Sequence, residues 1–148
     1  MRGVVSAGMV LALGGRVLPA FDAFYGVSAG AAAAAYAVSG QSSAISIYYE
    51  YVNTPDFFDP NRILSGLPVV DIPYLTHRVM KEIKPLLWER VVNSPIELHI
   101  LATEAHQART VDFHHFESRD DLLDAIHYSC RIPLIAGRPA AIDDQTAY

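Results

Sequence analysis

Residues 26–30 read Gly-Val-Ser-Ala-Gly, and they join a short apolar run, Phe21 to Val27, to a stretch of nearly pure alanine, Ala29 to Val38. No other feature constrains the fold as tightly. Phe21, Phe24, Tyr25 and Val27 have the length and residue types of a buried strand. Alanine has the best intrinsic helix propensity and no bulk to hold neighbouring backbones apart. A strand that passes straight into a helix through a glycine-flanked serine makes a sharp turn, and the hydroxyl projects from it out of the sheet. The helix N-terminus beneath turns unpaired N–H groups and the positive end of its dipole towards any charge developing there, with the Ala29 N–H as the natural donor. The pentapeptide alone is a weak signal, because a tight turn chosen only for geometry uses the same residues. The strand–turn–helix order favours Ser28 as a nucleophile, with Gly26, Val27, Ala29 and Gly30 completing the elbow.

Eleven basic and 16 acidic residues among 148 give a formal charge of −5, which leaves no basic field for a polyanion and argues against nucleic-acid binding. At 51% hydrophobic and 18% charged the chain is too apolar for disorder, and its length suits one domain over 1–148. The single cysteine, Cys130, excludes an internal disulfide framework and a cysteine-rich zinc site. The alanine run is about half the ~20 residues that a membrane span requires. Arg2, the apolar stretch Val4 to Leu13 and Ala20 mimic a secretory signal. That reading is weakened by the lone positive charge and by Leu18 where a small residue belongs. The alternative is a helix over Val4 to Leu13, closed by Gly14-Gly15, that opens the domain.

Further along, Ser42 to Val52 reads as a helix ended by Asn53-Thr54-Pro55, and Asp56 to Pro73 as a long proline-broken loop. Tyr74 to Ile83 has helical spacing up to Pro85, and Leu86 to Val92 makes a short helix bearing Trp88. Ile96 to Ala102 and Thr110 to Phe116 read as strands that could pair. Arg119 to Cys130 reads as a helix capped by Ser118, with Asp121 three residues on.

These residues resemble a family. Arg2-Gly3 with Val4-Val5-Ser6-Ala7-Gly8-Met9-Val10, then Phe21-Asp22, Tyr25 to Ala31 and Ser39-Gly40, are similar to the patatin-like phospholipases, particularly bacterial ones. Asp56-Phe57-Phe58-Asp59-Pro60, Ala102-Thr103, Asp120 to Ile126 and Ile132-Pro133 extend the similarity across nearly the whole chain. The resemblance implies an α/β fold, a three-layer α/β/α sandwich with a central, largely parallel sheet. It also implies serine acyl hydrolysis of lipids, of the phospholipase A or lysophospholipase type, through an acyl-enzyme. Ser28 would be the nucleophile, and the amides of Arg2, Gly3 and Ala29 the oxyanion hole. The implied partner is a lipid ester met at a membrane surface, in the cytoplasm or peripheral to the membrane, with no metal or organic cofactor and no transmembrane segment.

Two departures accompany these matches. The family opens with a first strand and a G-G-G-x-R-G loop, of which only Met1-Arg2-Gly3 correspond here, and its Ser-Asp dyad takes the aspartate from a D-G-G or D-G-A motif that this chain lacks. The expectation is of a domain missing its first strand and its C-terminal part, with the dyad aspartate beyond Tyr148, so that the full-length protein is the lipid ester hydrolase and these 148 residues alone have negligible esterase activity. Asp143 and Asp144 are the nearest carboxylates to the expected position, and a solvated turn accounts for them better. Two alternatives stay open: an inactive, truncated or degenerate copy, and an α/β-hydrolase whose triad is completed by His99 or His127.

Asp112, His114, His115 and Glu117 suggest a metal cluster, but alternation along a strand leaves only Asp112 and His114 on one face. Two ligands are too few for a structural site. Phe57, Phe58, Leu64, Leu67, Val69 and Val70 read either as a lipid-facing lid and acyl-pocket wall or as a loop pinned to the core by its aromatics. Trp88 has no assigned role, and Cys130 reads as a small buried hydrophobe.

Overall fold

The computed structural model describes residues 3–133 and 135–137. Helix α1 spans Gly3–Val17 and bends at Gly14 (φ 56°), where the glycine doublet predicts an end. Ala7 and Val10 are buried against the core, while Val5 and Met9 face outward. The segment that mimics a secretory signal is therefore a packed helix. A short 3-10 turn, Leu18–Ala20, leads into strand β1 (Ala23–Val27), and helix α2 follows at Ala29–Val38.

α2 is the axis of the molecule. Every residue from Ala31 to Val38 is buried, and the helix touches α1, β1 and the later elements β2 (Glu97–Thr103), α4 (Trp88–Val92) and α5 (Arg119–Cys130). Methyl-sized side chains at Ala31 to Ala35 and Ala37 let so many backbones crowd one helix, while the larger Tyr36 is buried with its hydroxyl donating to the Lys84 carbonyl.

The helix expected over 42–52 forms as a 3-10 turn, Ser42–Ser46, that passes into a single α-turn, α3, at Ile47–Glu50. Serine and β-branched residues are weak helix formers, so packing of Ile45, Ile47 and Tyr48 into the core decides the shape. The long loop contains a 3-10 segment, Pro60–Ser65, capped by the Asp59 carboxylate accepting from the Asn61 N–H, and a Phe58–Val70 bridge closes its base. Tyr74–Ile83 is helical as expected, with wide π-type bonding that ends where the Lys84 N–H donates to the Val79 carbonyl.

Strand β3 (Thr110–Phe113) completes a sheet of order β1-β2-β3, in which β1 and β2 run parallel and β2 and β3 antiparallel. Phe24, Gly26, Leu98, Ile100 and Ala102 point to the helices. The opposite face is uncovered among the described residues: Tyr25 is 65% exposed and Val27 58%. β1 is thus buried on one face only among the described residues, which corrects its reading as a buried strand. The molecule is the expected α/β type, with one helical layer on the sheet among the described residues. α5 begins as predicted, the Ser118 Oγ accepting from the Asp121 N–H and the Asp121 carboxylate accepting in return from the Glu117 N–H.

Candidate active site

Ser28 is the whole connection between β1 and α2, and it sits at φ 55°, ψ −128°. A residue other than glycine in such a region costs about 1–3 kcal/mol and persists only where the surroundings hold it. Three bonds do so. The Ser28 N–H donates to Ser129 Oγ (2.7 Å), the Ser129 hydroxyl donates to the Leu101 carbonyl (2.6 Å), and the Ala31 N–H donates to the Ser28 carbonyl (2.9 Å). The Ser28 hydroxyl makes no capping bond to α2. It is not consumed in satisfying the helix end, as serines at that position usually are.

The flanking glycines differ. A Cβ on Gly26 would lie 2.5 Å from Ala31 Cα, so the turn closes only with glycine there, whereas a Cβ on Gly30 would meet nothing within 4 Å. A second close approach joins the two helix starts: a Cβ on Gly3 would lie 2.6 Å from Ala29 Cβ and 2.9 Å from Tyr48 Cε1. The N-termini of α1 and α2 therefore abut beside Ser28, and both turn their positive ends to the same region. Tyr48 locks the junction by donating its hydroxyl to the Ala29 carbonyl. Burial pushes the Tyr48 phenol far above its ordinary value, so it remains a donor. Of the predicted oxyanion donors, Gly3 and Ala29 are brought together, and Arg2 lies outside the described residues.

A cavity of about 290 Å³ opens at Ser28, lined by Gly3, Ala29, Tyr48 and Cys130 and walled by Phe57, Phe58, Val70 and Leu75. Within the proline-broken loop Phe57 is pinned in the core, and Phe57, Phe58 and Val70 line the cavity. Leu64, however, is 86% exposed, and Leu67 is also exposed. Cys130 is buried as expected. Its burial pushes the thiol up to about 12, only partly offset by a bond with Ser28, so a neutral thiol sits beside the candidate nucleophile.

On the other side of Ser28 lies a cleft of about 640 Å³ that includes Leu101, Glu104, Ser129 and Ile132. Glu104 is buried, and its Oε1 accepts from the His106 and Gln107 amides (3.1 and 3.2 Å) while Arg109 Nε stands 3.3 Å from Oε2. It secures the turn between β2 and β3. The sequence reading found neither Glu104 nor Ser129. A lone acid directly after an apolar strand was the available signal for the first, and nothing local marks the second.

Among the described residues, no carboxylate bonds to the Ser28 hydroxyl, and no histidine lines either cavity. His127 on α5 stands 6.1 Å, ring to ring, from His77, and His99 lies on the open sheet face, so neither meets Ser28 as a triad requires. Asp143 and Asp144 lie outside the described residues. His99 does meet Asp112 and His114, making three possible ligands where counting along one strand predicts two.

Compared with known proteins, residues 1–148 match the family model described as Patatin-like phospholipase. No curated protein and no solved structure matches the chain.

Proposed function

We propose a mechanism for a lipid hydrolase from a plain premise: this chain belongs to the patatin-like phospholipase family. Ser28 Oγ attacks the carbonyl carbon of a lipid ester while its proton passes to a carboxylate, the dyad partner that the family resemblance implies. Negative charge gathers on the carbonyl oxygen and is received by the amides at the joined starts of α1 and α2, Gly3 and Ala29, together with Arg2. The alcohol leaves with the proton, and water then releases the fatty acid from the Ser28 ester. The observation that carries this reading is the strained Ser28 backbone, held by the Ser129 bond at the mouth of an apolar cavity. Such strain gathers at functional sites.

The acyl chain would occupy the cavity behind Phe57 and Phe58. The excursion that leaves the cavity wall at Phe58 and returns at Val70 carries exposed Ile63, Leu64 and Leu67, an apolar tip suited to a membrane surface. No helix among the described residues is long and apolar enough to cross a membrane.

A fluorophosphonate probe tests the assignment. We expect labelling that disappears in Ser28→Ala; labelling that persists in that variant would overturn it. A second reading, lipid binding without turnover, draws on the absence of a carboxylate bonded to Ser28 among the described residues. It is the better one if fatty acid binds the cavity and no serine is labelled.

A further inference from the structure

The open face of the sheet carries a second constellation, remote in chemistry from Ser28. The β2–β3 register sets Ile100 opposite Phe113 and Leu101 opposite Asp112. Carried one residue further, it sets His114 opposite His99, on the same face as Asp112. The two imidazoles stack with centroids 5.2 Å apart, and Tyr25 covers the other side of His99 at 4.3 Å. His99 Nδ1 is 2.8 Å from Asp112 Oδ2, and His114 Nδ1 is 3.8 Å from Asp112 Oδ1.

We propose that His99, Asp112 and His114 form a binding site for a borderline divalent cation, of which zinc is the representative. One donor atom from each lies within 4.8 Å of the others. Metal–ligand bonds of about 2.0–2.2 Å in a tetrahedral site put donor atoms roughly 3.3–3.6 Å apart, so the widest gap closes by at most about 1.5 Å. His114, nearly half exposed, has room for that movement. The cation replaces the proton shared by His99 Nδ1 and Asp112.

A further carboxylate stands where an outer partner belongs. Glu97 Oε2 lies 3.4 Å from His99 Nε2, so the ring has Asp112 on one nitrogen and Glu97 on the other. Metal-bound histidines characteristically give their second N–H to a carboxylate, which orients the ring and raises its basicity. The donor set, two nitrogens and one carboxylate oxygen, suits zinc over the harder calcium and magnesium. The fourth position faces the side of the sheet left uncovered among the described residues and would take water. Two carboxylates, Asp112 and Glu97, also give the site the negative charge that a dication needs.

The test is titration of the metal-free full chain with zinc sulfate by calorimetry, followed by cobalt(II) in place of zinc. We expect saturable binding at one ion per chain and a cobalt absorption band typical of four coordination. Asp112→Asn, nearly isosteric and still able to bond His99, should abolish binding with an unchanged near-ultraviolet circular dichroism spectrum. Glu97→Gln should weaken it about 10- to 100-fold. His106→Ala, in the neighbouring turn, should leave it unaltered. Absence of saturable binding, or equal affinity in the His99→Ala/His114→Ala double variant, would overturn the proposal. Loss of binding in the Asn variant together with the native spectrum would not hold the proposal up unless the double variant also failed to bind.

Discussion

The Ser28 N–H points at Ser129 Oγ from 2.7 Å, across 101 positions of sequence, and the same hydroxyl donates to the Leu101 carbonyl. One small side chain on α5 thereby fixes the turn after β1 to the end of β2. It also occupies the Ser28 amide.

Ser129→Ala should destabilise the protein by about 1–3 kcal/mol, since it strands a partly buried donor and acceptor at once. Urea unfolding measures this. A change under about 0.5 kcal/mol, the scale of an ordinary surface substitution, would show that the bond does not hold the turn.

The two glycines of the elbow should behave in opposite ways. Gly26→Ala drives a methyl group into the Ala31 backbone and should cost at least about 1–3 kcal/mol, the usual range for overpacking. Gly30→Ala, within α2 and facing open space, should be neutral or stabilising by up to about 1 kcal/mol. Equal effects in thermal unfolding would contradict the close approach described for Gly26.

Ser28→Gly should raise stability by about 1 kcal/mol or more, because glycine adopts a positive φ without the penalty that serine carries. The same variant should lose fluorophosphonate labelling. A destabilised Gly variant would mean that the hydroxyl, and not the backbone, sets the cost at this position.

Leu64→Asp should reduce binding to phosphatidylcholine vesicles while leaving the near-ultraviolet circular dichroism spectrum unchanged. Leu64 stands clear of the cavity at the tip of its loop, so it can affect docking without touching the chemistry. Unaltered vesicle binding would remove the loop from the proposed membrane contact.

His127 supplies a pH signature. Burial, reinforced by Arg131 and His77, lowers its value to about 4 from an ordinary 6.5. The unfolded chain then takes up a proton that the folded one refuses, so stability present above about 6.5 is lost progressively as the pH falls towards 4. His127→Gln should flatten that part of the melting-temperature profile. A profile as steep as that of the unsubstituted protein would assign the pH dependence to other groups.

The parts legible in the sequence are those governed by neighbours along the chain. The elbow, the alanine helix and the Ser118 cap follow from local chemistry, and the structure has each of them in place. Readings that depended on what lies across space fared differently. β1 reads as a buried strand because its residues are apolar, yet Tyr25 and Val27 face the side of the sheet left uncovered among the described residues. Ser42 to Val52 looked like one helix because its apolar spacing fits one, while core packing tightens its first half into a 3-10 turn. Ser129 and Glu104 were invisible for the same reason: a serine in a helix and an acid after a strand acquire meaning only from a partner that folding delivers. His99 needed the strand register before it could be counted with Asp112 and His114.

In α2, residues 31–38 have no solvent-facing side, so the usual freedom of a helix to drift in sequence along its wet surface is missing. A saturation library over that stretch would rank substitutions by volume far more than by charge or polarity. Cysteine, glycine and serine would survive where leucine fails, an inversion of the order seen on an ordinary amphipathic helix. The segment works as a spacer of fixed gauge: it sets how near α1, the sheet and α5 approach one another, and hence whether Gly3 and Ala29 arrive side by side at Ser28.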